Sequence, residues 1–138
     1  MNVFVDTNVL LDVLARREAF YADSMRVWNL SESGSVSGFI SAISFNNCFY
    51  VLKKYADTRK AGKAVRLLRD VFRPVDLTAQ IINQAIDSGF PDFEDAIQYH
   101  SAVQSGSEFI VTRNPDHFPR SPISIMSPAE FLAVYGAE

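Results

Sequence analysis

Val3-Phe4-Val5-Asp6-Thr7-Asn8-Val9-Leu10-Leu11-Asp12 sets the architecture. Its first three residues form a short apolar run of the kind that suits a strand buried on both faces of a parallel sheet. The run stops at a polar triplet, after which Val9, Leu10, Val13 and Leu14 return at helical spacing. A second run of the same kind, Phe109-Ile110-Val111, stops in the same way at Thr112-Arg113-Asn114.

Between these two points, helical and extended patterns alternate. Phe20 to Leu30 carries an apolar stripe with Met25 and Trp28, ended by Ser33-Gly34, and Val36 to Ile40 reads as a strand. Ala42 to Tyr55 is helical by period. Thr58 is positioned to cap a helix with Ala64, Leu68 and Phe72 on one side and Lys63, Arg66 and Arg73 on another. Pro74-Val75-Asp76-Leu77 is a strand or its edge. Thr78 then caps a helix expected to turn Ile81, Ile82, Ala85 and Ile86 inward and to close at Gly89. Pro91-Asp92 opens the next helix, which runs to about Ser105-Gly106. Ile123 to Met126 is a last strand, and Ser127-Pro128-Ala129-Glu130 is a capping box with proline at the first helical position. Strands joined by helices at this spacing predict a three-layer α/β/α fold with a central parallel sheet of four to five strands. The expected organisation is one domain over residues 1–138.

Composition limits the function classes. A net charge of −3 excludes nucleic-acid binding through overall positive charge. The distribution is uneven, however, since residues 53–73 hold eight basic residues against two acidic ones, which leaves −9 for the rest of the chain. Cys48 is the only cysteine, so no internal disulfide forms, and a reducing cytoplasm is the expected compartment. No apolar run approaches the ~18 residues of a membrane span.

The polar stretches converge. Ligands of an open parallel sheet bind beyond the carboxyl ends of its strands. Asp6 and Thr112-Arg113-Asn114 each follow a strand directly, and Asp92 and Asp95 open a helix on the same edge. Carboxylates crowded together repel one another unless a cation neutralises them, and hard oxygen donors favour Mg²⁺ or Mn²⁺ over zinc. A zinc set is missing: His100 and His117 are the only histidines, and Cys48 stands alone.

These same residues carry a family resemblance. The segment from Val3 to Asp12 looks like the opening of a PIN domain, Pro91-Asp92-Phe93-Glu94-Asp95-Ala96-Ile97-Gln98 resembles that family's central acidic motif, and Ile110 to Phe118 resembles its strand-four signature. The three motifs occur in the right order and span almost the whole chain. The resemblance implies an endoribonuclease like the VapC-type toxins, dependent on Mg²⁺ or Mn²⁺, forming a homodimer and held by an antitoxin protein that covers the acidic edge. It further implies that Asp6 and Asp95 are the first and third acidic ligands. Asn47 falls where many relatives carry glutamate, and Asn114 falls on the fourth acidic position, so each offers an amide carbonyl without charge. Asp92, three residues before Asp95 on a helix, is expected to add a carboxylate. The resulting expectation makes Asp6, Asp95 and Asp92 metal ligands and adds Asn114 to the catalytic set. Thr7, Asn8, Thr112, Arg113 and Asn47 are placed against the RNA.

Each assignment has a plainer counterpart. Asp6 and Asp92 both sit where aspartate caps a helix. Thr112 and Asn114 fit a turn before Pro115, Thr7 and Asn8 fit a turn or cap, and Arg113 pairs either with a carboxylate or with a phosphate. Glu94 is expected to face solvent. The basic face of residues 53–73 is either simply solvated or a track for the RNA backbone. Phe45, Phe49 and Tyr50 have the spacing of core or dimer packing. Two other function classes compete. One is a PIN module that binds RNA or protein without cutting, because Asn47 and Asn114 weaken the site. The other is phosphoryl transfer through an aspartyl phosphate, which needs a lysine late in the fold, whereas the last lysine here is Lys63.

Overall fold

The computed structural model describes residues 1–136. In chain order the elements are β1 (Asn2–Val5), α1 (Thr7–Leu14), α2 (Glu18–Glu32), β2 (Ser37–Ser41), α3 (Ala42–Tyr55), α4 (Thr58–Val71), β3 (Arg73–Val75), α5 (Ala79–Asp87), α6 (Phe93–Gln104), β4 (Phe109–Val111), β5 (Ser124–Met126) and α7 (Pro128–Gly136), with a 3₁₀ turn at Pro115–His117 between β4 and β5. The five strands form one parallel sheet in the order β3-β2-β1-β4-β5.

Strand alternation explains the layers. Val3 and Val5 of β1 point into one core with Leu10, Val27, Trp28, Leu68 and Phe131, whereas Phe4 points into the opposite core with Ile81, Ala96 and Ile97. In β4, Val111 joins the first core and Ile110 the second. The sheet is therefore buried on both faces, as its continuous apolar runs require, with α5 and α6 on one side and α1, α2, α4 and α7 on the other. That is the three-layer arrangement expected, at the upper end of the strand count.

Local chemistry sets most boundaries. The capping box is realised in both directions, with Glu130 N–H donating to Ser127 Oγ and Ser127 N–H donating to Glu130 Oε1. Thr78 caps α5 through the Ile81 amide, and Gly89, at φ +74, reverses the chain after it. Two expectations are corrected. Asp57 caps α4 through the Lys60 amide at 2.7 Å, and Thr58 is the first helical residue, because a carboxylate is the stronger acceptor for a helix N-terminus. Ile86 is 62% exposed, because the face of α5 that carries Ile81 and Ala85 is the one turned to the sheet. Phe72 is buried as expected but lies just past α4.

Gly38 of β2 is required by close packing, since a Cβ there would sit 2.8 Å from Phe72 Cδ1 and closer still to Ser31 Oγ. Gly38→Ala is expected to lower the unfolding free energy by about 1–3 kcal/mol, as overpacked core sites do, in chemical denaturation monitored through Trp28.

Candidate functional site

The sheet order reverses between β1 and β4, and the polar residues that follow these two strands meet there. Thr112, fully buried after β4, donates its hydroxyl to Asp6 Oδ2 at 2.8 Å, and the Thr7 backbone N–H donates to Asp6 Oδ1 at 2.7 Å. Asn8 bridges the same two segments: its amide reaches Asp6 Oδ2 at 3.4 Å and Thr112 Oγ1 at 3.5 Å, and its Oδ1 accepts from the Arg113 backbone at 3.3 Å. The Asn114 N–H donates to Thr112 Oγ1 at 3.2 Å. Asp6 is both the cap of α1 and a fixed carboxylate at the switch point.

Its charge is held against opposition. Burial pushes the Asp6 carboxyl up to about 6, the Thr112 and Thr7 hydrogen bonds pull it down, and the charges of Asp95 and Glu94 push it up again. Asp95, in the first turn of α6, is likewise raised by burial and by the charges of Asp92 and Glu94, with His117 opposing. Glu94 is half-buried rather than solvent-facing, and burial first, with the Glu94 charge adding to it, pushes the Cys48 thiol of α3 up to about 12.

The protonated Asp6 is favoured by folding, so its contribution to stability is fully present below its ordinary value of 3.8 and is lost as pH rises through about 6. In chelating buffer, melting temperature should therefore fall between about pH 4 and pH 7. Asp6→Asn should flatten that fall, by an upper bound of about 3 kcal/mol. An unchanged pH profile in the variant would show that Asp6 carries no such penalty.

The other expected residues take distinct places. Asp92 is exposed and caps α6, accepting the Asp95 N–H at 2.9 Å. Thr7 turns inward: its hydroxyl meets Ser44 Oγ at 2.8 Å, and Gln98 donates to both hydroxyls, so this buried trio ties α1, α3 and α6 together beneath Asp6. Asn47 lies half-exposed on α3, one turn beyond Ser44. Arg113 sends its guanidinium away from Asp6, to 3.0 Å from the fully buried Asp12 and over the Phe20 ring at 4.2 Å. Arg17 and Ser24 complete the surroundings of Asp12. Of the two readings of Arg113, pairing with a carboxylate is the one observed.

Sequence reasoning missed His117, whose Nδ1 lies 3.5 Å from Asp95 Oδ2. The 3₁₀ turn beginning at Pro115 folds it back over α6, and no periodicity announces that. Ser44 and Gln98 were missed because polar residues on helix faces read as solvated. Among the described residues no three His, Cys, Asp or Glu side chains are close enough to form a metal cage, so Asp6, Asp95 and Asp92 do not make one as they stand. No helix among the described residues is long and apolar enough to cross a membrane.

A parallel α/β sheet with a buried carboxylate after its first strand, a hydroxyl from the neighbouring strand fixing it, and further carboxylates on the opposing helix defines an acidic-edge α/β protein. The model of the PIN domain family matches residues 2–116, and the chain belongs to that family. It is similar to ribonuclease VapC1 of Aquifex aeolicus (strain VF5), at 25% identity across 94% of this chain and 92% of the relative. The fold is also that of VapBC bound to DNA from Salmonella typhimurium, with a TM-score of 0.69 and 18% identity over 92% of this chain and 97% of that one. The sarcin–ricin loop cleaving toxin VapC20 of Mycobacterium tuberculosis superposes with a TM-score of 0.64 and 20% identity, covering 78% of this chain and 86% of that one.

Proposed function

We propose that this chain is a metal-dependent endoribonuclease, the toxin of a toxin–antitoxin pair, acting through Asp6 and Asp95. The observation that carries this reading is the buried Asp6 carboxylate, hydrogen-bonded at both oxygens and facing the charges of Asp95 and Glu94. Such an arrangement is unfavourable at neutral pH without a cation. The edge offers carboxylates with one histidine, His117, against Asp95, and Mg²⁺ is commonly held by one or two carboxylates together with water and substrate phosphate rather than by an all-protein cage. Mg²⁺ or Mn²⁺ therefore fits this edge, with Asp6 and Asp95 as holders and the Asn114 and Asn47 carbonyls as uncharged additions. Bound there, the ion supplies positive charge against the phosphodiester and acidifies a water molecule.

The protein's own groups do the positioning. Thr112 and the Thr7 amide fix the Asp6 oxygens, and the N-terminus of α6 favours Asp95 as an anion. Asp92 acts through that helix end, as its cap. Asn8 ties the two strand ends so that Asp6 and Asn114 keep their separation. Relatives described as VapBC assemblies support an antitoxin partner, and the homodimer and a cytoplasmic location are read from family likeness and composition.

A second reading has its own support. With amides at Asn47 and Asn114 and no three-ligand group in place, a module that binds RNA without cutting keeps the same edge. Incubation of the purified chain with single-stranded and structured RNAs, in Mn²⁺, Mg²⁺ or EDTA, separates them. Cleavage abolished by EDTA is expected, and binding without cleavage in any metal would favour the non-cutting module.

A further inference from the structure

Three buried polar side chains meet under the acidic edge, each from a different element. Thr7 Oγ1 lies 2.8 Å from Ser44 Oγ, and Gln98 Nε2 donates to both, at 3.2 and 3.3 Å. Gln98 and Ser44 are fully buried and Thr7 nearly so. The sequence sets one residue of the edge next to each of them. Thr7 follows Asp6 directly, and its backbone N–H donates to Asp6 Oδ1. Ser44 precedes Asn47 by three residues on α3, and Gln98 follows Asp95 by three residues on α6, a spacing that keeps each pair on one helix face. One hydrogen-bonded cluster therefore links the supports of Asp6, Asn47 and Asp95.

Stability does not account for Gln98. Its side chain is fully buried, yet its Oε1 has no hydrogen-bond partner among the described residues. Its neighbours on α6, Ala96, Ile97 and Ala102, belong to the apolar core. An unpaired buried acceptor is a cost that an apolar side chain of the same length avoids. What the amide supplies instead is register: its two N–H bonds hold α6 against α1 and α3 in one arrangement, which apolar contacts alone do not specify.

We propose that Gln98, together with Thr7 and Ser44, is a positioning residue of the metal edge, fixing Asp6, Asn47 and Asp95 relative to one another independently of any bound ion. The inference rests on the reading of Asp6 and Asp95 as metal holders. The three side chains are spent on one another, so they act through the residues above them.

Gln98→Met keeps the length of the side chain, removes both donors and leaves Thr7 and Ser44 bonded to each other. Mn²⁺ binding to the full chain, counted by electron paramagnetic resonance, should weaken about 10-fold, while unfolding in EDTA stays at wild-type stability or above it. Thr7→Val should weaken Mn²⁺ binding in the same way, and Thr7→Ser, which keeps the hydroxyl, should bind like the wild type. Without metal, hydrogen exchange of the Thr7 amide should be faster in Gln98→Met, because the hydroxyl that anchors Thr7 has lost its donor. Unchanged Mn²⁺ affinity in Gln98→Met and Thr7→Val, with Asp6→Ala still weakening it, would overturn the positioning role and leave the metal reading standing. A fall in the stability of Gln98→Met that parallels its fall in affinity would also overturn it, since the trio would then only hold the fold. No Mn²⁺ binding in the wild type, with faster Thr7 exchange in Gln98→Met, would remove the metal reading and uphold the fixing of the edge, and unchanged exchange would overturn both.

Discussion

Asp6→Ala and Asp95→Ala are each expected to lower metal-dependent RNA cleavage by about 10²- to 10⁴-fold. That range corresponds to losing several kilocalories of transition-state charge stabilisation at about 1.4 kcal/mol per decade. The two losses have different companions. Asp6 is buried at the switch point and its carboxyl is raised to about 6, so its removal in EDTA at neutral pH lifts that burial penalty while costing α1 its cap. Asp95 is half-buried on a helix N-terminus and carries a smaller penalty. Thr112→Val, which leaves the Asp6 carboxylate in place but strips a 2.8 Å hydrogen bond from it, should cost about 10- to 100-fold, as loss of a group that orients a ligand does. Rates on one RNA at saturating Mn²⁺ rank the variants. A Thr112→Val rate equal to wild type would mean that Asp6 needs no such restraint.

Arg113→Ala is expected to have the largest effect on stability, about 3 kcal/mol or more. Removing one partner of a buried pair leaves the other charge uncompensated. Asp12 is fully buried, its carboxyl is raised by burial and lowered chiefly by Arg113, and Arg17 at 3.8 Å is a weaker substitute. The loss should appear as a fall of roughly 10 °C in melting temperature for a chain of this size. The double variant Asp12→Leu/Arg113→Met should recover much of it, since the pair's worth lies mainly in mutual compensation. A single variant melting within a degree or two of wild type would show that the pair is dispensable.

The parallel sheet was legible in the sequence because its strands are short apolar runs that end in polar triplets, and because caps such as Thr78, Asp92 and the Ser127 box mark helix starts. Asp6 and Thr112 were legible as an edge pair for the same reason: each follows a strand, so topology alone brings them together. Side-chain direction was not legible. Thr7 turns down to Ser44 and Gln98, and Arg113 turns to Asp12, because each choice is settled by partners distant in sequence. His117 reaches Asp95 only because Pro115 starts a 3₁₀ turn at that point.

The most direct test of the shared-cation site is titration of Mn²⁺ into wild type, Asp6→Ala and Asp95→Ala, with free ion counted by electron paramagnetic resonance. One bound ion in the wild type, weakened at least 10-fold by either substitution, is the expected result. Binding of equal strength in all three proteins, or none in the wild type, would contradict the assignment of Asp6 and Asp95 as joint holders of the metal.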